Sequence, residues 1–276
     1  MASCARPRHG RKVRKRGNGD AAEKREIPHK IKNPYLCKQK NNMIENSKEQ
    51  NKVPTIEELK ELMCIPADAD KTTIMKHFEG IAEILKNDCV IQYEDKEYRI
   101  LDFEFYFYNK NHQDISVHPR KSEALCWYIN DFGGIDLNFK SDIKPKIVPK
   151  GKTWSLKYEL TDESFFGGIL IRKIQEIDCE KRVLNGPLKV AELFRKLDAT
   201  SHHQNNPVLI IKRLEPLTFV VEQRFNLLGK HTAKEKADYI LQSCFIEESY
   251  SKKQSVLEKE LEKFKESPYR YWVPDL

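Results

Sequence analysis

The chain has 276 residues, of which 39% are hydrophobic and 33% charged. That length holds one large domain or two small ones, with enough apolar residues for a sizeable core. No apolar run approaches the ~20 residues of a membrane-spanning helix, so no membrane partner is expected. No apolar stretch follows the basic N-terminus, so a secretory signal is not expected either. The seven cysteines, Cys4, Cys37, Cys64, Cys89, Cys126, Cys179 and Cys244, are odd in number and never form CxxC. This argues against a disulfide framework or zinc knuckle and for a reducing, intracellular compartment: nuclear in a eukaryote, cytoplasmic in a bacterium.

The formal net charge of +7 is unevenly spread. Residues 1–53 hold 15 Lys and Arg against 5 Asp and Glu, leaving 34 against 37 for the remainder. The basic character therefore belongs to the first segment. "RPRHGRKVRKRGNG" is nearly free of large apolar residues and reads as a disordered basic tail, either a nuclear-import or nucleic-acid-binding arm or a plain solvated extension. Met43 offers a second possible start. The folded part, 54–276, shows no basic excess of the kind phosphate binding favours.

From Pro54 the pattern changes. "TIEELKELMCI" predicts a helix that Thr55 caps, with Glu58 three residues on. "ADKTTIMKHFEGIAEILKND" predicts a second, with Ile74, Phe78, Ile81, Ile84 and Leu85 on one side. "CVIQYE" and "EYRILDFEFYFY" read as strands joined by a turn at Asp95 and Lys96. "ALCWYIN", "GGIDLNFK", "TWSLKYEL" and "FGGILIRKIQEI" are further strand candidates. "NGPLKVAELFRKLD" predicts a short helix with Pro187 early. "VLIIKRL" and "LTFVVEQRF" are strand-like, "KHTAKEKADYILQSCFIEESY" and "QSVLEKELEKFKES" helical, and "YRYWVPDL" closes the chain. Strands in the centre with helices flanking them give an α+β fold.

The stretch "LDFEFYFYNKNHQDISVHPRK" carries the most chemistry. In an alternating strand Phe103, Phe105 and Phe107 share one face, and Glu104, Tyr106 and Tyr108 the other. A carboxylate held beside an aromatic ring can activate water next to a stacked planar ligand, or it can sit on an exposed edge. His112, Asp114 and His118 form HxDxxxH, residue types that suit zinc or iron. A catalytic metal needs about three ligands, and no further His or Cys lies at ligand spacing. Arg172 interrupts an apolar strand entered by Gly167 and Gly168, so it needs an anionic partner or solvent. Asn185, Gly186, Pro187 and Lys189 open a helix whose backbone N–H groups suit a phosphate.

These motifs, in this order, resemble the alkyladenine (3-methyladenine) DNA glycosylase family over roughly residues 74–276. "LDFEFYFY" resembles its strand with the catalytic glutamate, here Glu104, followed after one residue by Tyr106. "VHPRK" resembles the loop whose histidine lines the base pocket, here His118, and adds Arg120 as a DNA contact. "FGGIDLNFK" resembles the strand bringing an asparagine, here Asn138, to the pocket floor. "FFGGILIRKI" resembles the strand whose arginine, here Arg172, helps hold the attacking water. "NGPLKVAELF" is similar to a Gly-Pro-x-Lys helix start, which places Lys189 against DNA, and "YRYWV" resembles the closing aromatic strand.

The resemblance implies a single α+β domain, 54–276, with a curved, mostly antiparallel sheet and flanking helices. It implies a monomer that binds double-stranded DNA, flips a damaged purine out of the stack and hydrolyses its N-glycosidic bond, as in base-excision repair. No metal or organic cofactor is implied. Glu104 and Arg172 would be catalytic, Tyr106 and His118 would sandwich the base, Tyr128 would be a second pocket aromatic, and Phe132 would wedge into the duplex. Two departures stand out. The tyrosines of the family's wedge strand are largely missing from "CWYINDFGGIDLN", and "SDIKPKIVPKGKTWSLKYELTDES" is long where the family's loop is short. The alternatives are a non-catalytic nucleic-acid-binding relative and a metal-dependent hydrolase using His112, Asp114 and His118.

Residues 1–53 contain too few apolar side chains to offset the entropy of ordering them. Truncation before Pro54 is therefore expected to leave the melting temperature unchanged in a thermal scan. A drop of several degrees would show that the segment packs.

Overall fold

A computed structural model describes residues 52–129, 134–178, 182–194 and 207–274. The basic segment, apart from its last two residues, lies outside them, as does Phe132. Within the described residues the fold is α+β and every strand pair is antiparallel. The first helix, α1 (Ile56–Leu62), starts as its sequence predicts. Thr55 Oγ1 accepts from the Glu58 amide, and the Glu58 carboxylate accepts from the Thr55 amide, closing a capping box. Asp70 caps α2 (Lys71–Asn87), which buries Ile74, Phe78, Ile81, Ile84 and Leu85.

The centre of the sheet is β2 (Lys96–Asn109), joined to β1 (Cys89–Tyr93) by a tight turn. Tyr93 pairs with Lys96, so the turn residues are Glu94 and Asp95, one position earlier than the sequence suggests. Glu94 takes φ 56°, a left-handed conformation that closes the turn. Pairing with β2 along its whole length is β8 (Phe166–Glu176). The main path then runs β10 (Val208–Ile211), β1, β2, β8, β5 (Ile135–Asn138), β4 (Trp127–Ile129). Three short strands attach to this path: β3 (His112–Gln113) and β12 (Arg270–Trp272) to β2, and β9 (Val183–Asn185) to β8. A further strand, β11 (Val220–Glu222), pairs with β12.

A double irregularity bends β2 and β8. Ile100 pairs with Ile174, Asp102 with Lys173 and Phe103 with Ile171, so Leu101 and Arg172 are the extra residues. The shift exchanges odd and even positions. Tyr98 and Ile100 before it, and Phe103, Phe105 and Phe107 after it, all enter the same core. Without the bulge, one half of β2 would point its apolar side chains at the wrong face.

The two faces of the sheet bury different cores. On one, Phe78 of α2 stacks on Phe105 at 4.4 Å and meets Tyr269 edge-on at 5.4 Å. Each such buried ring contributes roughly 1.5–3 kcal/mol through area removed from water. On the other face, Tyr108 stacks on Phe166 at 4.9 Å. That cluster is covered by α4 (Ala233–Cys244) and α6 (Gln254–Lys265), which supply Ala237, Ile240, Leu241, Leu257 and Leu261. Two short helices, α3 (Pro187–Leu193) and α5 (Glu247–Tyr250), complete the set.

Within 141–164, described above as a long loop, the strand candidate "TWSLKYEL" is a strand, and a partner strand that the sequence reading left in the loop precedes it. The two form a regular hairpin, β6 (Lys144–Lys150) and β7 (Thr153–Glu159), turning at Gly151 and Lys152. Gly151 at φ 59° supplies the positive dihedral a two-residue turn needs. The two prolines and many lysines of the segment hide the alternation that its register reveals.

Gly167 marks a close approach between strands. A Cβ there would lie 2.6 Å from the Tyr106 carbonyl oxygen and 2.7 Å from the Phe107 ring. Backbone cannot yield as a side-chain tip can, so Gly167→Ala is expected to destabilise by about 1–3 kcal/mol. A denaturant titration checks this, and an unchanged midpoint would mean that the strands part without cost.

Candidate functional site

Registers place the site residues in rows on one face of the sheet. Asp136 of β5 pairs with Leu170 of β8, which pairs with Glu104 of β2, which pairs with Arg270 of β12. The next row is Asn138, Gly168, Tyr106. Alternation within β2 and β8 thus sets Glu104 and Tyr106 beside Leu170 and Arg172, facing away from the phenylalanine core.

Glu104 is completely buried. Its Oε2 accepts from the Tyr106 hydroxyl at 2.7 Å and from Arg172 at 3.3 Å, and its Oε1 accepts from the Phe225 amide at 2.7 Å. Arg270 lies 3.9 Å from Oε1. The expectation that Glu104 and Arg172 lie within one water of each other on adjacent strands is met by a direct contact between β2 and β8. Asp102 is buried beside them. Arg270 grips it with two hydrogen bonds of 2.9 and 2.8 Å, and its remaining arm reaches Glu222 at 2.6 Å. Arg172 Nε lies 3.6 Å from Asp102. Two guanidiniums therefore neutralise two buried carboxylates, without which burial would cost several kcal/mol per ion.

Tyr106 is fixed on both sides of its polar end. Arg224 packs its guanidinium over the ring at 4.5 Å, while the hydroxyl donates to Glu104. Burial, followed by the Glu104 charge, raises the phenol well above its ordinary range. It therefore stays a donor at any physiological pH. Arg224 itself is buried and bonds to Asp114 at 2.6 Å and to the carbonyls of Phe105 and Phe264.

An open cleft of about 170 Å³ lies against this cluster, lined by Tyr106, His118, Asp136, Leu170 and Phe225 among others. Glu104 and Arg172 are not on its surface. Phe225 stands between, its ring 4.9 Å from the Arg172 guanidinium and 5.5 Å from that of Arg270. A second cleft shares Ser116, Val117, His118 and Ile240 with the first and runs on past Tyr128 to Leu156 and Tyr158 of β7.

The structure brings Glu104, Tyr106 and Arg172 together and sets His118 and Tyr128 side by side. The Tyr128 hydroxyl lies 3.1 Å from His118 Nδ1. Asn138, expected on the pocket floor, is buried instead. Its Oδ1 accepts from Arg120 Nε at 2.7 Å and its Nδ2 donates to Ser122 at 2.7 Å. Arg120, expected to face DNA, is likewise buried. It pairs with Asp136 at 3.0 Å and lies over the Tyr128 ring at 4.4 Å. The space it fills exists because residue 168 is glycine: a Cβ there would fall 2.1 Å from Arg120 Nη2. Arg120 therefore positions Asn138, Asp136 and Tyr128 and presents nothing to a phosphate. Lys189 is exposed on α3 and does not line the cleft, although Pro187 of that helix does.

His112, Asp114 and His118 do not converge. His112 is buried between the Phe107 carbonyl at Nδ1 and the Tyr269 hydroxyl at Nε2. Asp114 is committed to Arg224, and also accepts from the Ser116 hydroxyl. Among the described residues, no group of three or more His, Cys, Asp or Glu is placed to hold a metal ion. The sequence reading missed Asp102, Asp136, Arg224, Phe225 and Arg270. Asp102 and Asp136 were within reach of the rule that found Tyr106, each lying two residues from a chosen position, Glu104 and Asn138. Arg224 and Arg270 each interrupt apolar or aromatic stretches, the signal that singled out Arg172.

Burial lowers the pKa of His112 from its ordinary 6.5, outweighing the opposing pull of Asp114. In the unfolded chain the imidazole takes up a proton near 6.5 while the folded form resists it. Stability from this group is thus present above 6.5 and lost as pH falls below it. His112→Gln is expected to flatten that slope between pH 7 and the folded-state value, read as denaturant midpoints against pH. Parallel curves for the two proteins would show that another group is responsible.

No protein-family model matches the chain. The "Uncharacterized protein L759" of Acanthamoeba polyphaga mimivirus is 29% identical over 126 residues, covering 40% of this chain and 53% of that protein. The match therefore spans about half the length of that relative. Among the described residues no helix is long and apolar enough to cross a membrane.

Proposed function

We propose that the chain is a nucleobase-recognising protein resembling the alkyladenine DNA glycosylases, which hydrolyses the N-glycosidic bond of a damaged purine in DNA. The observation that carries this reading is the Glu104–Tyr106–Arg172 cluster, set directly behind an aromatic-lined cleft. A carboxylate offers about four acceptor positions. Three hydrogen bonds occupy Glu104, which leaves a place on Oε1 for a water. In the reaction that water's oxygen bonds to C1′, the C1′–N bond breaks, and its electron pair leaves with the base. The water's proton passes to Glu104. An alkylated or protonated purine leaves as a neutral base, so no metal is needed to activate it.

Tyr106, His118 and Phe225 supply stacking surface in the cleft, worth about 1–3 kcal/mol per base. Asp136 adds a hydrogen-bond acceptor on the cleft wall for an exocyclic amine. The direct Arg172 contact, at 3.3 Å, fixes the orientation of the carboxylate.

A second reading has its own support. Glu104 is completely buried and Phe225 screens it, as suits a relative that binds nucleic acid without cleaving the glycosidic bond. Glu104→Gln separates the two. The amide cannot take a proton, so release of an alkylated, deaminated or etheno purine from a single-lesion duplex is expected to fall ~10²–10⁴-fold in single turnover. Duplex affinity, measured on the same DNA, is expected to stay nearly intact. A melting curve confirms that the variant folds. Wild-type protein that binds each of these duplexes and releases no base selects the non-catalytic reading. Equal rates for wild type and variant remove Glu104 as the base.

A further inference from the structure

We infer that the β6–β7 hairpin is a binding arm for an unpaired stretch of nucleic acid. This rests on the reading of the cleft as a nucleobase site and extends it to the neighbouring nucleotides. The register makes the hairpin two-faced. Ile147 pairs with Leu156, Pro149 with Trp154 and Pro145 with Tyr158, so all six share one face. Lys144, Lys146, Lys150 and Lys157 fall on the other, with Lys152 in the turn.

The apolar face is open. Ile147 and Trp154 are each 71% exposed and Leu156 53%. A cluster of that kind at the tip of a two-stranded arm needs an occupant. Leu156 and Tyr158 also line the second cleft, beside His118 and Tyr128. Trp154 follows them on the same face toward the tip, so the wall of the cleft continues outward onto the arm.

Charge identifies the occupant. Residues 144–159 hold five lysines and one acidic residue, whereas the rest of the chain from Pro54 holds 29 basic and 36 acidic residues. The arm is thus a cationic site on an acidic domain. Lys144 and Lys146 both lean on Glu159. Lys150, Lys152 and Lys157 form no ion pair among the described residues. An exposed indole with uncommitted lysines at the turn and on the opposite face of the same narrow arm is a pairing that suits single strands: bases stack on the ring while the backbone, passing the edge of the arm, meets the ammonium groups. The strand must be unpaired, because in a duplex the base faces are already stacked on one another.

The test uses the full chain and its tryptophan emission, which isolates the arm from the basic N-terminal segment. Short single-stranded DNA is expected to quench the emission, and Trp154→Ala to remove that component and weaken binding about 5- to 150-fold, the effect of losing one base–aromatic stack. Replacing Lys150, Lys152 and Lys157 with Glu is expected to flatten the slope of log K against log salt by about 2. A matching blunt duplex is expected to quench little. Undiminished single-strand affinity in Trp154→Ala overturns the inference. So does quenching by phosphatidylserine vesicles alone, which would assign the face to a lipid surface, or a dimer that Trp154→Ala dissociates, which would assign it to a second copy. The cleft reading is scored separately. Base release lost in Glu104→Gln but unchanged in Trp154→Ala, with unchanged affinity, removes the arm and keeps the cleft. Trp154-dependent quenching with no base release keeps the arm and removes hydrolysis.

Discussion

Everything at the site follows from placing two carboxylates inside the central strand. Asp102 and Glu104 cannot be buried alone, since an uncompensated charge in the interior costs more than the packing around it returns. The compensating cations come from different parts of the chain: Arg172 from β8 and Arg270 from β12. Both strands pair directly with β2. The sheet order is thus the arrangement that neutralises β2. The bulge at Leu101 and Arg172 belongs to the same solution. It lets the core face stay continuous while both acids and Arg172 sit opposite it.

A second buried pair, Asp114–Arg224, couples to the first through Tyr106. Arg224 packs on one side of the ring, and Glu104 accepts a hydrogen bond from the hydroxyl. Tyr106 is held by charge-assisted contacts at both ends, which fixes its ring without apolar packing on the cleft side. A ring held so rigidly makes a good stacking platform, because little rotamer entropy remains to be lost when a ligand settles on it. The Phe225 amide joins the same network from the next residue after Arg224. A disturbance at Asp114 therefore has a short physical path to Glu104, through Arg224 and either Tyr106 or the 224–225 backbone.

Much of this was legible in the sequence because it is governed by alternation. The two-residue period put Glu104 and Tyr106 on one face and the phenylalanines on the other, and the structure has them so. The helix announced by a cap, Thr55 with Glu58, starts where those residues stand. What stayed illegible depends on which strand lies next to which. Asn138 reads as a pocket residue until β5 is seen to pair with β8 at Gly168, where the missing side chain lets Arg120 in to occupy its amide. Arg120 itself reads as a surface cation in "VHPRK", and only the Gly168 gap explains why it is buried. Of the β6–β7 hairpin only β7 was legible as a strand; β6 was left in a loop because prolines and lysines alternate with its apolar residues. Its order comes from cross-strand pairing rather than from burial of either strand.

The position of Phe225 sets the terms on which the cleft can work. Its amide holds the carboxylate and its ring packs against both guanidiniums, while the residue as a whole is 58% exposed. A group that exposed, on a short connection between β11 and α4, can be displaced at small cost compared with opening the packed sheet. The carboxylate and its arginines cannot move, being tied into three strands. A planar ligand entering the cleft would thus meet a fixed platform, Tyr106, and a movable cover, Phe225. Water reaching Oε1 and a base stacking beside Tyr106 would compete for the space that Phe225 now fills. The network behind the cover is tied into three strands, so any ligand that reached it would first have to displace Phe225.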